Sequence, residues 1–296
     1  MKQVISVSRR TDIPAHYLNW LIERVNEGQV SVVSPFNPHQ SRTVSLRPDD
    51  VHTLVFWSKN YRVLLDNVRY FRRYQNLLFH FTINDCPGLE PAIPPLPERL
   101  EQACQLIGIF GPERLAWRFD PLVFWNGGTQ HNAGSFGRIA EHMAGLGVRR
   151  CIFSFAHWYS KCVTRANRHG FDYYDPPTAQ KLEITDRLAH IAKAFGIVLQ
   201  SCCGDDLTAV DNVEKAHCID GNLLSALAGE PCDTARDTSQ RKMCGCTKSV
   251  DIGSYEDQPC RHACLYCYAN PVLRNARTIE DDLRRLTKRA SATHRS

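Results

Sequence analysis

Short apolar runs rich in β-branched and aromatic residues alternate with stretches whose apolar positions recur every three to four residues, the pattern of strands each followed by a helix. Val4 to Ser8 reads as the first strand, ended by the polar turn Arg9, Arg10, Thr11 and Asp12. Pro14 suits the first turn of a helix running toward Gly28, with Leu18, Leu21, Ile22 and Val25 on one face. Val30 to Val33 predicts a second strand, before the proline-rich loop S-P-F-N-P-H. Further strands are predicted at Thr53 to Trp57, Leu77 to Ile83, Leu115 to Phe119, Cys151 to Phe155 and Ile197 to Gln200. Helical spacing is carried by Val63, Leu64, Val68 and Phe71, by Leu100, Ala103 and Ile107, by Phe136 to Leu146, and by Leu182 to Phe195. Between His157 and Asp175 the polar pattern predicts a connection long enough to be functional.

Such βα repeats predict an α/β protein, a complete or partial TIM-type (β/α) barrel over residues 1–200, with a doubly wound open sheet as the alternative. In a barrel the strand-end residues Arg9, Arg10, Asp12, Lys59, Asn84, Arg118 and Asp120 would ring one mouth, where barrel enzymes keep their chemistry. After Ser201 the pattern changes to cysteines, glycines and polar residues. Residues 201–296 therefore read as a cysteine-rich metal-binding segment and a basic C-terminal helix, with Arg274, Arg277, Arg284, Arg285, Lys288 and Arg289, packed on the barrel mouth.

Composition adds bounds. A 43% apolar and 23% charged chain is an ordinary globular one, and a formal charge of +5 permits a polyanionic partner without arguing for one. No stretch approaches the ~20 apolar residues of a membrane span, and the N-terminus lacks the apolar run of a signal peptide, so a cytoplasmic location is expected. In that reducing compartment clustered cysteines are more often metal ligands than disulfides. Nine of the thirteen fall after residue 200, whereas Cys86, Cys104, Cys151 and Cys162 are scattered and read as small buried hydrophobes.

Cys260, Cys264 and Cys267 stand in the run P-C-R-H-A-C-L-Y-C-Y-A-N, a C-x3-C-x2-C spacing with Tyr266 just before the third cysteine. Three thiolates on a four-iron cluster leave one iron open to another ligand. Three ligands of a zinc site, with His262 as a fourth, are the alternative. Cys244 and Cys246 form a tight C-G-C; with Cys218 and either Cys202 or Cys203 they complete a four-thiolate set suited to zinc or an auxiliary iron–sulfur cluster. Cys86, in N-D-C-P-G, is either a buried structural thiol or a hydrogen donor in a radical relay.

The terminal loop resembles that of the radical S-adenosylmethionine superfamily, and its C-x-Y-C-Y-A resembles most closely the branch of spore photoproduct lyase and related DNA-repair lyases. Within residues 53–124, V-F-W-S-K-N, F-T-I-N-D, L-E-P-A-I-P-P-L-P-E-R-L-E and W-R-F-D-P-L resemble segments of that branch in the same order. From S-R-R-T-D-I-P-A to D-I-G-S-Y and the terminal cysteines, the chain looks like bacterial domain-of-unknown-function family 1848, whose C-terminal cysteine cluster is likened to the radical S-adenosylmethionine one.

The resemblance implies a [4Fe-4S] cluster on Cys260, Cys264 and Cys267, with S-adenosylmethionine cleaved to a 5′-deoxyadenosyl radical and an electron donor such as flavodoxin or ferredoxin as partner. Tyr266 would pack by the cluster or adenine, and Asn84 belongs with the cofactor-binding set. Arg118 and Asp120 would contact the cofactor or substrate, and Lys59 an anionic group. Arg9 and Asp12 complete the candidate catalytic set. A nucleic-acid substrate is implied by the lyase branch, with Arg9, Arg10, Arg42, Arg69, Arg72 and Arg73 as phosphate contacts. Two departures stand out: the loop lies near the C-terminus rather than after a first strand, and no G-G-E-like motif follows the second strand. Either Val250 to Gly253 is the cluster-bearing strand of a circularly permuted barrel, or a C-terminal lid delivers the cluster to the mouth. A non-catalytic iron–sulfur or zinc protein that binds nucleic acid or a protein partner is the second functional expectation. A zinc hydrolase using His16, His39, His80, His131 and His157 is the third.

Overall fold

In the computed structural model, which describes residues 1–34, 37–269 and 271–273, the apolar runs pair into one eight-stranded parallel sheet. Its strands are β1 (Gln3–Val7), β2 (Val51–Ser58), β3 (Leu77–Thr82), β4 (Leu115–Leu122), β5 (Arg150–Phe155), β6 (Val198–Ser201), β7 (Val213–Lys215) and β8 (Val250–Asp251). Strands β1 to β7 cross the sheet in chain order, and β8 returns to pair with β1 at the opposite edge. Ile5 stands against Val250 and Ser6 against Asp251. Strands from both sides of residue 200 thus share one sheet.

Both faces of the sheet are covered, which is why β2 and β3 are buried almost throughout instead of alternating. One face sends Ile5, Leu54, Phe56, Phe79, Trp117 and Phe153 into the larger core, against the helices. The other sends Val4, Val55, Leu78, Ala116 and Ile152 into a second core with Cys218, Ile219, Leu224 and Cys246. The helices are α1 (Ile13–His16), α2 (Leu18–Glu27), α3 (Arg62–Asp66), α4 (Leu96–Phe110), α5 (Phe136–Gly145), α6 (Ser160–Arg168), α7 (Thr178–Ala194) and α8 (Gly221–Ala228). Asp12 caps α1 by accepting from the Ala15 backbone N–H, and Gly28 ends α2 at φ +74°, a conformation that costs glycine little.

Several expectations are corrected. Val30 to Val33 lies outside the parallel sheet, in an antiparallel hairpin of Gln29–Ser34 with Asn37–Ser45. The stretch from His157 to Asp175 holds α6 and the short strand Tyr173–Tyr174 rather than a plain loop. Cys104 is exposed on α4, not buried. The basic C-terminal helix falls outside the described residues. No helix among the described residues is long and apolar enough to cross a membrane.

Candidate metal centre

The loop bearing Cys260, Cys264 and Cys267 leaves the sheet from β8, and the end of β1 holds that exit in place. Asp251 accepts from Ser6 Oγ at 3.0 Å, Arg9 N at 2.7 Å and Gly253 N at 3.1 Å, and also from Ser8 Oγ. Arg10 Nη1 donates to the Gly253 carbonyl at 2.8 Å. Gly253 is needed because a Cβ there would stand 2.5 Å from Ser8 Cβ. Further along, Tyr17 donates to the Pro259 carbonyl at 2.7 Å, Leu265 N to Leu89 O at 2.9 Å, and Arg165 to the carbonyls of Leu265 and Cys267 at 3.0 and 2.5 Å. A segment without regular secondary structure is thus tied down through its own backbone groups.

These contacts place the three thiols among the polar strand ends. Cys264 and Tyr266 are buried with Cys86, Leu89 and Val123. Burial pushes the Cys260 thiol up to about 12, with the charge of Asp12 adding to it. Burial raises Cys264 as well, with Glu90 behind it, and burial raises Cys267 against the Ala269 backbone N–H and the charge of Arg165. Without a cation the three sulfurs are therefore held as neutral thiols, and a metal that takes them must displace their protons.

His16, from α1, and Cys260 and His262, from this loop, each bring one ligand atom within 4.8 Å of the other two. Asp12 Oδ2 lies 2.6 Å from His262 Nε2, the outer-shell carboxylate that orients a ligating imidazole. His262 Nδ1 and His16 Nε2 are buried with no hydrogen-bond partner, an arrangement that costs free energy unless something binds there. Burial, with the neighbouring His262 charge, pushes His16 down to about 4 against the pull of Asp12, leaving the neutral imidazole that ligates metals.

The strand-end residues divide by task. Asp12 binds Ser58 Oγ at 2.8 Å and Lys59 N at 2.9 Å as well as His262. Lys59 Nζ lies 2.7 Å from Glu90 and 3.0 Å from Asn84 Oδ1, and Tyr266 donates to the same Glu90 carboxylate. Lys59 also stands 5.8 Å from the centre of the Tyr266 ring. Arg118 pairs with Asp120 at 2.8 Å and donates to Cys218 Sγ at 3.1 Å. Arg9 serves as a strut: its Nη2 donates to Ser249 Oγ at 3.1 Å and its guanidinium packs 5.5 Å from the Trp57 ring. The structure thus brings Asp12, Lys59, Asn84 and Tyr266 together around the loop, and sets Arg118 and Asp120 beside a different group of cysteines.

That group gathers Cys203, Cys218, Cys244 and Cys246, and it includes Cys202 as well. Cys86 is buried, its thiol pushed up to about 12 by burial and then by Glu90. Of the five histidines expected to converge, His16 alone joins a ligand set; His80 is stacked on Trp57 at 4.0 Å and hydrogen-bonded to the Cys218 carbonyl. Sequence reading missed Glu90, although it stands in the L-E-P stretch, and it missed the pairing of His16 with His262. All thirteen cysteines are free of disulfides.

A family model described as Domain of unknown function (DUF1848) matches residues 4–269. The chain belongs to the DUF1848 family. The match takes in both edge strands and all three groups of chemistry-bearing residues, so the DUF1848 unit and the sheet with its cysteine loops are the same object. No curated protein matches the sequence.

Proposed function

We propose that this DUF1848 protein is a radical S-adenosylmethionine-type enzyme whose [4Fe-4S] cluster is held by Cys260, Cys264 and Cys267. One observation carries the reading: the cysteine loop follows β8, and β8 lies beside β1 in a parallel order that runs β8, β1, β2 through β7. A (β/α) barrel opened between its first two strands would have this order, and a loop late in the chain would then follow the first strand of the array. One backbone bond joins the segments that flank the two edge strands: Thr247 N, before β8, donates to the carbonyl of Ile219, after β7, at 2.9 Å. Permutation, not a separate lid, then accounts for the loop's position.

The thiol set fits the cluster in kind and number, with three cysteines inside one backbone-anchored loop, Cys264 buried and Cys260 and Cys267 partly so. When bound, such a cluster with S-adenosylmethionine supplies an electron that splits the sulfonium to methionine and a 5′-deoxyadenosyl radical. The chain's own residues orient and shield. Tyr266 and Leu265 wall the site from water, and Glu90 fixes Tyr266 and Lys59 together. Lys59 has two of its three donors engaged, leaving one for an anionic group of cofactor or substrate. An external one-electron donor of the flavodoxin or ferredoxin kind completes the proposal.

The lyase-like resemblance points to a nucleic-acid substrate, and Arg42, exposed on the hairpin, is an arginine open to its phosphates. Arg9 and Arg10 are engaged with the β8 exit. Arg69, Arg72 and Arg73 lead into the start of β3, at the end of the sheet away from the cysteine loop.

A second reading, a zinc protein with a binding role, is favoured by the unpartnered ring nitrogens of His16 and His262 beside Cys260. Release of 5′-deoxyadenosine from S-adenosylmethionine by the anaerobic, dithionite-reduced protein separates the two. Its appearance supports the enzyme, whereas a colourless zinc protein that leaves the compound intact would establish the second reading.

A further inference from the structure

Five sulfurs on the second face of the sheet share no residue with the terminal loop. Cys202 and Cys203 follow β6, Cys218 follows β7, and Cys244 and Cys246 precede β8. Cys202 and Cys218 are 3.8 Å apart, and electrostatic interactions link neighbours in the order Cys203, Cys202, Cys218, Cys246, Cys244 and back to Cys203. Three chain segments far apart in sequence thus deliver thiols to one place.

Several features of this ring exceed what buried small hydrophobes require. Cys202 and Cys218 lie 3.8 Å apart, the separation of two sulfurs each about 2.3 Å from one tetrahedral metal, although no three of the five sulfurs lie within 4.8 Å of one another. Arg118 sends one arm to Asp120 and another to Cys218 Sγ at 3.1 Å, placing a buried guanidinium where an anionic thiolate would gain most. Ile219 N donates to Cys246 Sγ at 3.4 Å, the backbone N–H to sulfur contact that steadies metal thiolates. Cys203 holds φ +59°, an uncommon conformation for a residue with a side chain. Gly245 has no alternative, because a Cβ there would come 2.7 Å from the Ala216 carbonyl. A cleft lined in part by Lys215, His217 and Arg236 reaches Cys244 from outside and gives a metal its path in.

We propose that Cys202, Cys203, Cys218, Cys244 and Cys246 form a second metal centre, supplying four thiolates to zinc or to an iron–sulfur cluster. The shared chemistry is a soft, thiolate-preferring, four-coordinate metal. The two metals are arms of one experiment.

The full-length chain carrying Cys260→Ala, Cys264→Ala and Cys267→Ala is purified anaerobically, and zinc, iron and acid-labile sulfide are measured per folded chain. This variant removes the terminal cluster, so its residual metal reads the second centre alone. The expected result is about one equivalent of zinc, or iron with matching sulfide, reduced at least about tenfold when Cys218→Ser and Cys244→Ser are added. A folded triple variant without either metal overturns the proposal, as does metal retained after the two serine substitutions. If either variant fails to fold, thiol alkylation of the unsubstituted chain decides. Cys202, Cys203 and Cys244, each partly accessible, should react at least about tenfold faster after metal removal. Equal rates before and after, or a disulfide among the five in the native protein, overturn it too.

Discussion

His262 Nε2 lies 2.6 Å from Asp12 Oδ2, so the cysteine loop near the end of the chain closes on the residue that caps its first helix. The same carboxylate holds Ser58 and the Lys59 backbone. Asp12→Ala therefore removes a cap, worth about 1 kcal/mol, and strands the buried His262 imidazole and the Lys59 backbone N–H at about 1–3 kcal/mol each. A loss of at least about 2 kcal/mol is expected from urea unfolding. An unchanged midpoint would show that this carboxylate does not join loop and sheet.

Lys59 and Glu90 form a shielded ion pair at the site, with side chains 14% and 1% exposed. Glu90→Ala leaves the ammonium without its partner and frees the Tyr266 hydroxyl. Breaking a buried pair from one side costs about 3–5 kcal/mol. The double variant Glu90→Ala with Lys59→Met should recover a large part of that loss. Additive losses in the double variant would mean that the pair carries no coupling.

Gly253 and Gly108 make a paired test of close packing. Gly253→Ala puts a methyl group against Ser8 and should cost about 1–3 kcal/mol, with lower iron content because the loop exit shifts. Gly108 lies inside α4 with open space where a Cβ would go, and Gly108→Ala should gain about 0.5–1 kcal/mol. Equal melting temperatures for the two variants would contradict this assignment of the loop exit.

Most of the sheet was readable in advance because β1 to β6 are long enough and apolar enough to declare themselves. β7 and β8 are V-E-K and V-D, too short for any periodicity; β8 is expected only through the resemblance, as Val250 to Gly253, and both are held as strands by pairing with β6 and β1. The run Val30–Val33 looks like a buried strand because a hairpin with one apolar face presents the same local pattern. The terminal cysteines were visible from spacing alone. Their surroundings were not: Glu90 is 31 positions from Lys59, and Asp12 is 250 from His262, separations that only the folded sheet brings together. Cys202 was one of two interchangeable choices beside Cys203, since adjacency in sequence does not tell which thiol faces Cys218.

The proposal that Cys260, Cys264 and Cys267 hold a [4Fe-4S] cluster is tested most directly by iron and acid-labile sulfide in anaerobically purified protein, measured beside folded Cys264→Ala. The account predicts that wild type exceeds the variant by about four irons and four sulfides per chain, with loss of the broad visible absorption of the cluster. Equal iron in the two proteins, or zinc without iron in the wild type, would contradict it.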